Sequence, residues 1–204
     1  MAITGKCNQT LSLPGVSIST TIDRSASGGV PPQDVAVPAA KTGTLSTRTE
    51  NTDGELTMTD TDHGIETGDK ITIFWDGGIA YQATVGIVDG KAVPFTGAKG
   101  DDLPDAETAV TAGVITVLDV DFDGDKLKMF AATSNRRGHV VFEDAGDTVL
   151  SAAELVANEP YLYIDGIIAE NPLAGNPVDE VHVANGDATA PATFKMGGVY
   201  DSES

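Results

Sequence analysis

The run Ile71-Thr72-Ile73-Phe74-Trp75, the turn residues Asp76-Gly77-Gly78 and the run Ile79-Ala80-Tyr81-Gln82-Ala83-Thr84-Val85 constrain the fold more than any other stretch of this chain. β-Branched and aromatic residues crowd both runs, and they suit a pleated, half-buried surface. Two such runs around a short glycine turn predict a β-hairpin. Similar turn signals recur on either side. Asp89-Gly90 begins a turn that returns through Lys91-Ala92-Val93-Pro94-Phe95. Upstream, eight threonines fall between Thr42 and Thr61, and Asp53-Gly54 separates residues 45–49 from 55–59. That pattern predicts a polar, solvent-facing hairpin with the glycine supplying the positive φ of a tight turn.

Period-two alternation extends along most of the chain. Residues 11–20 alternate around Pro14-Gly15, which fits an edge strand or an extended arm because proline cannot donate to a central ladder. Residues 25–32 read as loop, punctuated by Gly28-Gly29 and Pro31-Pro32. Farther on, Val114, Thr116, Leu118, Val120 and Phe122 take one face of a strand, with Asp119, Asp121 and Asp123 on the other. Residues 126–130 and 139–142 read as a strand pair joined by the basic turn Asn135-Arg136-Arg137-Gly138, and the C-terminal part is again β on both sides of Asn185-Gly186. Only residues 148–159 offer a helix, through Ala152, Ala153, Glu154, Leu155 and Ala157 with Pro160 as the stop; a strand competes there. The expected fold class is all-β, in β-sandwich or small β-barrel units with at most one short helix. The acidic stretch 97–106, with Asp101, Asp102 and Asp105 around Pro104, is the expected boundary. It divides the chain into 1–100, an extended arm plus a hairpin or barrel unit, and 101–204, a second sandwich-like unit.

Charge then excludes whole classes of function. The 204 residues carry 31 Asp and Glu against 12 Lys and Arg, a net charge of -19. A polyanion gains nothing from releasing the counterions of DNA or RNA, so nucleic-acid binding is not expected. No apolar run reaches the ~18–20 residues of a helical membrane span, so no membrane partner is expected. The N-terminus lacks the basic start and apolar core of a secretory signal, which suggests a chain that acts where it is made or leaves by another route. Cys7 is the only cysteine, which excludes an internal disulfide and a cysteine-ligated metal cluster.

Catalytic patterns are missing. His63, His139 and His182 show no H-x-x-x-H or H-E-x-x-H spacing; His63 sits in turn chemistry and the other two in strand-like runs. Neither a G-x-S-x-G elbow nor a G-x-x-x-x-G-K phosphate loop occurs. With 31 acids, pairs of carboxylates arise by chance. Trp75, Tyr81, Tyr161 and Tyr163 are the aromatic candidates for a sugar platform, and Trp75 and Tyr81 read rather as packing around the hairpin. The expectation is a non-enzyme without a cofactor.

Two short motifs invite sharper readings. Asp119-Val120-Asp121-Phe122-Asp123-Gly124-Asp125 opens like a calcium loop, but the twelfth position, where a bidentate Glu is needed, is Phe130. In a strand, alternate aspartates stand about 7 Å apart, too far to share one ion. The alternatives are a solvated strand face running into a turn, or a weak calcium site at Asp121, Asp123 and Asp125. Arg136-Arg137, the basic doublet, reads as a surface turn or as a contact between copies of the chain, meeting an aspartate-rich face.

His63-Gly64-Ile65-Glu66-Thr67-Gly68-Asp69, continuing through Ile71–Ile73 into Trp75-Asp76-Gly77-Gly78-Ile79-Ala80-Tyr81, resembles stretches in small β modules of tailed-bacteriophage virion proteins. Asn171-Pro172-Leu173-Ala174-Gly175, Val181–Gly186 and Val199-Tyr200-Asp201 are similar in character. The resemblance implies a virion structural subunit that associates with itself and with other virion proteins such as a major capsid protein. Within that class capsid decoration comes first and a tail-tube subunit with an acidic lumen second. A calcium- or glycan-binding β module is the alternative from a different class.

Overall fold

The computed structural model describes residues 7–13, 16–22, 33–123, 127–164, 173 and 177–200. Every regular element among them is a strand, so the expected all-β class is correct. β1 (Cys7–Leu13) and β2 (Val16–Ile22) form a two-stranded antiparallel hairpin. β3 (Gln33–Val37) belongs to a sheet completed only near the other end of the chain.

Between them lies a closed six-stranded barrel. Its strands are β4 (Lys41–Arg48), β5 (Gly54–Met58), β6 (Lys70–Trp75), β7 (Gly78–Val85), β8 (Ala92–Thr96) and β10 (Thr108–Val114). Around the wall they run β4-β5-β8-β7-β6-β10 and back to β4, with the two-residue β9 (Lys99–Gly100) added on β7. Period two explains the filling. Ile71, Ile73 and Trp75 of β6 point inward with Leu45, Leu56, Val93, Phe95 and Val110, while Phe74 points out. The β6–β7 hairpin is as predicted, turning at Asp76-Gly77 with Gly77 at a φ of 102°.

The remaining strands build a two-sheet sandwich. β11 (Thr116–Asp123), β16 (Pro177–Asn185), β13 (Gly138–Glu143) and β14 (Val149–Leu155) lie in that order in one sheet. The other runs β15 (Tyr161–Ile164), β12 (Leu127–Ser134), β17 (Ala192–Tyr200) and β3. Phe130, Phe142, Phe194, Val140, Val181 and Val183 meet between the sheets, with Phe130 and Phe142 edge to face at 5.3 Å between ring centres. Within the first sheet β13 is buried on both faces: all six of its residues are buried, and its far side packs on the barrel.

Several local expectations change here. The helix candidate at 148–159 is instead strand β14, since alanine and leucine tolerate a strand when one face can pair with β13 along its length. Residues 126–130 and 139–142 do not form a hairpin: β12 and β13 lie in opposite sheets, and Asn135-Arg136-Arg137 is the corner between them. The threonine-rich hairpin forms, but as barrel wall with Leu45 and Leu56 fully buried rather than a solvent-facing flap. Its glycine is needed for a different reason than positive φ. A Cβ at Gly54 would sit 2.4 Å from the Thr47 carbonyl oxygen. The sheets also divide the chain elsewhere than at 100/101. β10 follows the acidic stretch yet closes the barrel, and β3 precedes the barrel yet joins the sandwich. The barrel is therefore inserted between the first and second strands of the sandwich.

Candidate functional site at the junction of barrel and sandwich

The most unusual chemistry lies where the outer face of β7 meets the barrel side of β13 and β16. Alternation places it there. Val140 and Phe142 of β13, and Val181 and Val183 of β16, point into the sandwich core. The opposite face then presents His139, Val141 and Glu143 from β13, and Glu180, His182 and Ala184 from β16. The ladder sets Val141 opposite His182 and Glu143 opposite Glu180. On the other side of β16, Asp119 stands in register with Glu180. Like charges directly across a ladder repel, so the Glu143–Glu180 pair favours something positive nearby.

A bulge in β7 brings the barrel to this face. Ile71 pairs with Ala83 and Ile73 with Ala80, leaving Tyr81 and Gln82 together opposite Thr72. Gln82 sits at a φ of 61°, a conformation rarely tolerated outside glycine. The extra residue keeps Ala80 and Ala83 both inside the barrel while Tyr81 and Gln82 both reach the sandwich. Bulges of this kind re-aim side chains beside functional sites. Tyr81 packs on the His139 ring, centroids 4.7 Å apart, and the Gln82 amide meets His182 Nδ1.

The His182 ring lies between two carboxylates. Its Nε2 is 2.7 Å from Glu180 Oε2, and its Nδ1 is 3.6 Å from Glu143 Oε2. The side chains of His182 and Glu143 are each 1% exposed, whereas that of Glu180 is 34% exposed and forms the open side. Neither oxygen of Glu143 has a hydrogen-bond partner among the described residues. A carboxylate taken fully out of water without hydrogen bonds is costly, and it demands a proton or a cation. The histidine cannot satisfy everything while neutral. If Nε2–H donates to Glu180 and Nδ1 accepts from the Gln82 amide, nothing remains for Glu143.

Two neighbouring groups feel this environment. Burial first, then the negative fields of Asp101 and Glu143, push the Tyr81 phenol above its ordinary range. Burial pulls His139 down to about 4, against a smaller upward pull from Asp101. Among the described residues His139 Nδ1 has no hydrogen-bond partner, and Glu154 stands opposite His139 in the ladder. A folded value near 4 against 6.5 when unfolded means the unfolded chain takes up this proton first. Stability from this group is therefore complete above about pH 6.5 and is lost as pH falls toward 4, by about 3 kcal/mol. His139→Phe should flatten that part of the acid limb in urea denaturation at stepped pH. An unchanged slope between pH 6.5 and 4 would remove His139 as its source.

The residues singled out in the sequence fall elsewhere. Asp121 and Asp123 lie in β11, while Asp125 is outside the described residues. Arg136 approaches Asp187 at 3.4 Å. Arg137 donates to Glu154 at 2.7 Å and to the Trp75 carbonyl at 3.2 Å, with its guanidinium 5.4 Å from the Phe74 ring centre. Within one chain, then, the Arg137 half of the doublet ties the sandwich to the barrel. Trp75 and Tyr163 are core residues, and Tyr161 stacks on Phe142. His63 is indeed turn chemistry: its Nδ1 accepts from Ile65 N at 3.1 Å, and its Nε2 meets the Gly90 carbonyl at 3.0 Å.

Sequence reasoning missed Glu143, Glu180, His182 and Gln82. A usable signal was present in Val178-Asp179-Glu180-Val181-His182-Val183, where an acid and a histidine two apart share one strand face between buried valines. No protein-family model, curated protein sequence or solved structure matches this chain.

Proposed function

We propose that the chain is a non-enzymatic structural subunit of a tailed-phage virion that associates with copies of itself, with capsid decoration as its leading role and a tail tube as the alternative. The observation that carries self-association is the contrast between the two edges of the barrel-facing sheet. β11 carries Asp119, Asp121 and Asp123, the kind of charge that keeps an edge from pairing. β14 ends the same sheet with the sequence Val149-Leu150-Ser151-Ala152-Ala153-Glu154-Leu155, and no described strand pairs with its outer side. Its single charge, Glu154, is occupied by Arg137, and Val156 immediately beyond it is 52% exposed. An unguarded edge with apolar neighbours suits strand addition from another chain. The virion context rests on the resemblance of the 63–81 segment, and the net charge of -19 would keep such a subunit from sticking to packaged DNA.

Size exclusion with light scattering, and negative-stain images of the same peak, test this. A small closed oligomer that binds assembled shells supports decoration, whereas rings or growing tubes transfer the assignment to the tail. Ala152→Lys, which charges the open edge, should shift either assembly toward monomer. A wild-type chain that stays monomeric at high concentration and binds no shell would end the proposal.

A further inference from the structure

We infer that Glu143, Glu180 and His182 form a binding site for one divalent transition-metal ion, of the Zn²⁺ or Mn²⁺ type, between the barrel and the sandwich. One ligand atom from each of the three lies within 4.8 Å of the others, close enough to converge on a single ion after small rotamer changes. Acid clusters are common on a chain this negative, but this one differs in kind. Glu143 is 1% exposed, both of its oxygens lack hydrogen-bond partners among the described residues, and it points at the ring of a histidine that is itself 1% exposed. A buried polar group left unsatisfied needs an explanation, and a cation supplies the one charge that the ladder pairing of Glu143 with Glu180 lacks.

The donor set narrows the ion. One imidazole nitrogen with two carboxylates suits zinc, manganese or iron, whereas calcium and magnesium prefer all-oxygen shells. The partly exposed Glu180 leaves a route in from solvent. Gln82 meets Nδ1 of the same histidine from the barrel, so the ion would take Nε2, and the proton then carried on Nδ1 would go to the Gln82 side-chain oxygen once that amide is turned over. Glu143, Glu180 and His182 all belong to the β13–β16 ladder, so an ion here would brace the barrel-facing side of the sandwich, with Gln82 of β7 touching it only through His182. That role is independent of the virion reading and survives if that reading fails.

Tag-free protein, dialysed against chelator, should be titrated with Zn²⁺, Mn²⁺ and Ca²⁺ by calorimetry and followed by thermal melting. The expected result is one Zn²⁺ or Mn²⁺ per chain with a raised melting temperature. Glu143→Gln should weaken that binding at least about tenfold while leaving the metal-free chain as stable as wild type or more so, because an uncompensated buried charge is gone. Glu180→Gln, at the exposed rim, is the safer variant for folding and should weaken the same site. Co²⁺ loaded into wild type should show visible absorption bands that Glu143→Gln abolishes. Equal Zn²⁺ binding by wild type and both variants would mark adventitious binding to surface acids and overturn the site. The same holds if no transition ion binds to the wild-type chain, whatever Glu143→Gln does to its stability. A Ca²⁺ response preserved in both variants would lie elsewhere and would also count against this site as its source.

Discussion

Gly113→Ala should lower the melting temperature by about 6–12 °C, although alanine suits a strand and this position needs no unusual φ. A Cβ at Gly113 would lie 2.3 Å from the backbone oxygen of Asn185 and 3.3 Å from its carbonyl carbon. Gly113 belongs to barrel strand β10 and Asn185 ends sandwich strand β16, so the methyl group would be driven between the two units. The struck atoms cannot step aside as a side chain would. Asn185 is fully buried, and its amide donates to the carbonyls of Pro38 and Ala190 while its side-chain oxygen accepts from Asp187 N. Overpacking of this type costs about 1–3 kcal/mol, and a backbone obstacle places it at the upper end. Gly146→Ala is the matched control: its nearest neighbour is the side chain of Asp144 at 3.3 Å, in an exposed turn. Differential scanning calorimetry of the two variants decides the matter. Equal melting temperatures would mean that the close approach of β10 to β16 carries no weight.

Phe74→Ala is expected to destabilise the chain by about 3–5 kcal/mol and to broaden or split its unfolding transition. Phe74 is the outward-facing residue of β6, 1% exposed, and it packs with Ile79, Ala184 and Ile115 in the small cluster between barrel and sandwich. Arg137 lies over its ring, and Gly186 passes so close that a Cβ there would meet the ring at 2.9 Å. Deleting the ring removes transfer free energy, leaves a cavity and strips a cation of its aromatic partner. Each unit retains a core of its own, so loss of this contact weakens their coupling more than either core. Calorimetry should then show two events where wild type shows one. A single sharp transition moved to lower temperature would mean that the remaining contacts suffice to couple the units.

What could be read from the sequence is what repeats every two residues. The hairpin of β6 and β7 is encoded within 16 residues, by alternating Ile71, Ile73 and Trp75 and by Gly77 at the turn. Choice of partner is not local, and there the reading failed. Nothing around Asn135 reveals that β12 and β13 face each other across a core instead of pairing, because Phe130 and Phe142 would serve in either arrangement. The helical reading of residues 148–159 rested on propensity, which β13 overrides by offering a complete ladder. The candidate site was hardest to see. Glu143 and His182 meet only through the β13–β16 register, and Gln82 reaches them through a bulge that no glycine or proline announces.

The insertion of the barrel into the sandwich sets an order of assembly during synthesis. β3 emerges early, but its ladder partner β17 is made after every other described strand, with Val37 waiting for Ala192. All six barrel strands leave the ribosome before the rest of the sandwich exists, so the barrel can close while β3 is still unpartnered. Closure has a second effect. Lys41 pairs with Ala112, which sets the barrel's two ends side by side. A folded barrel thus shortens the connection between β3 and β11 from more than 70 residues to a few. The entropy of closing the loop between β3 and β17 falls accordingly. The inserted unit is the scaffold on which its host is completed.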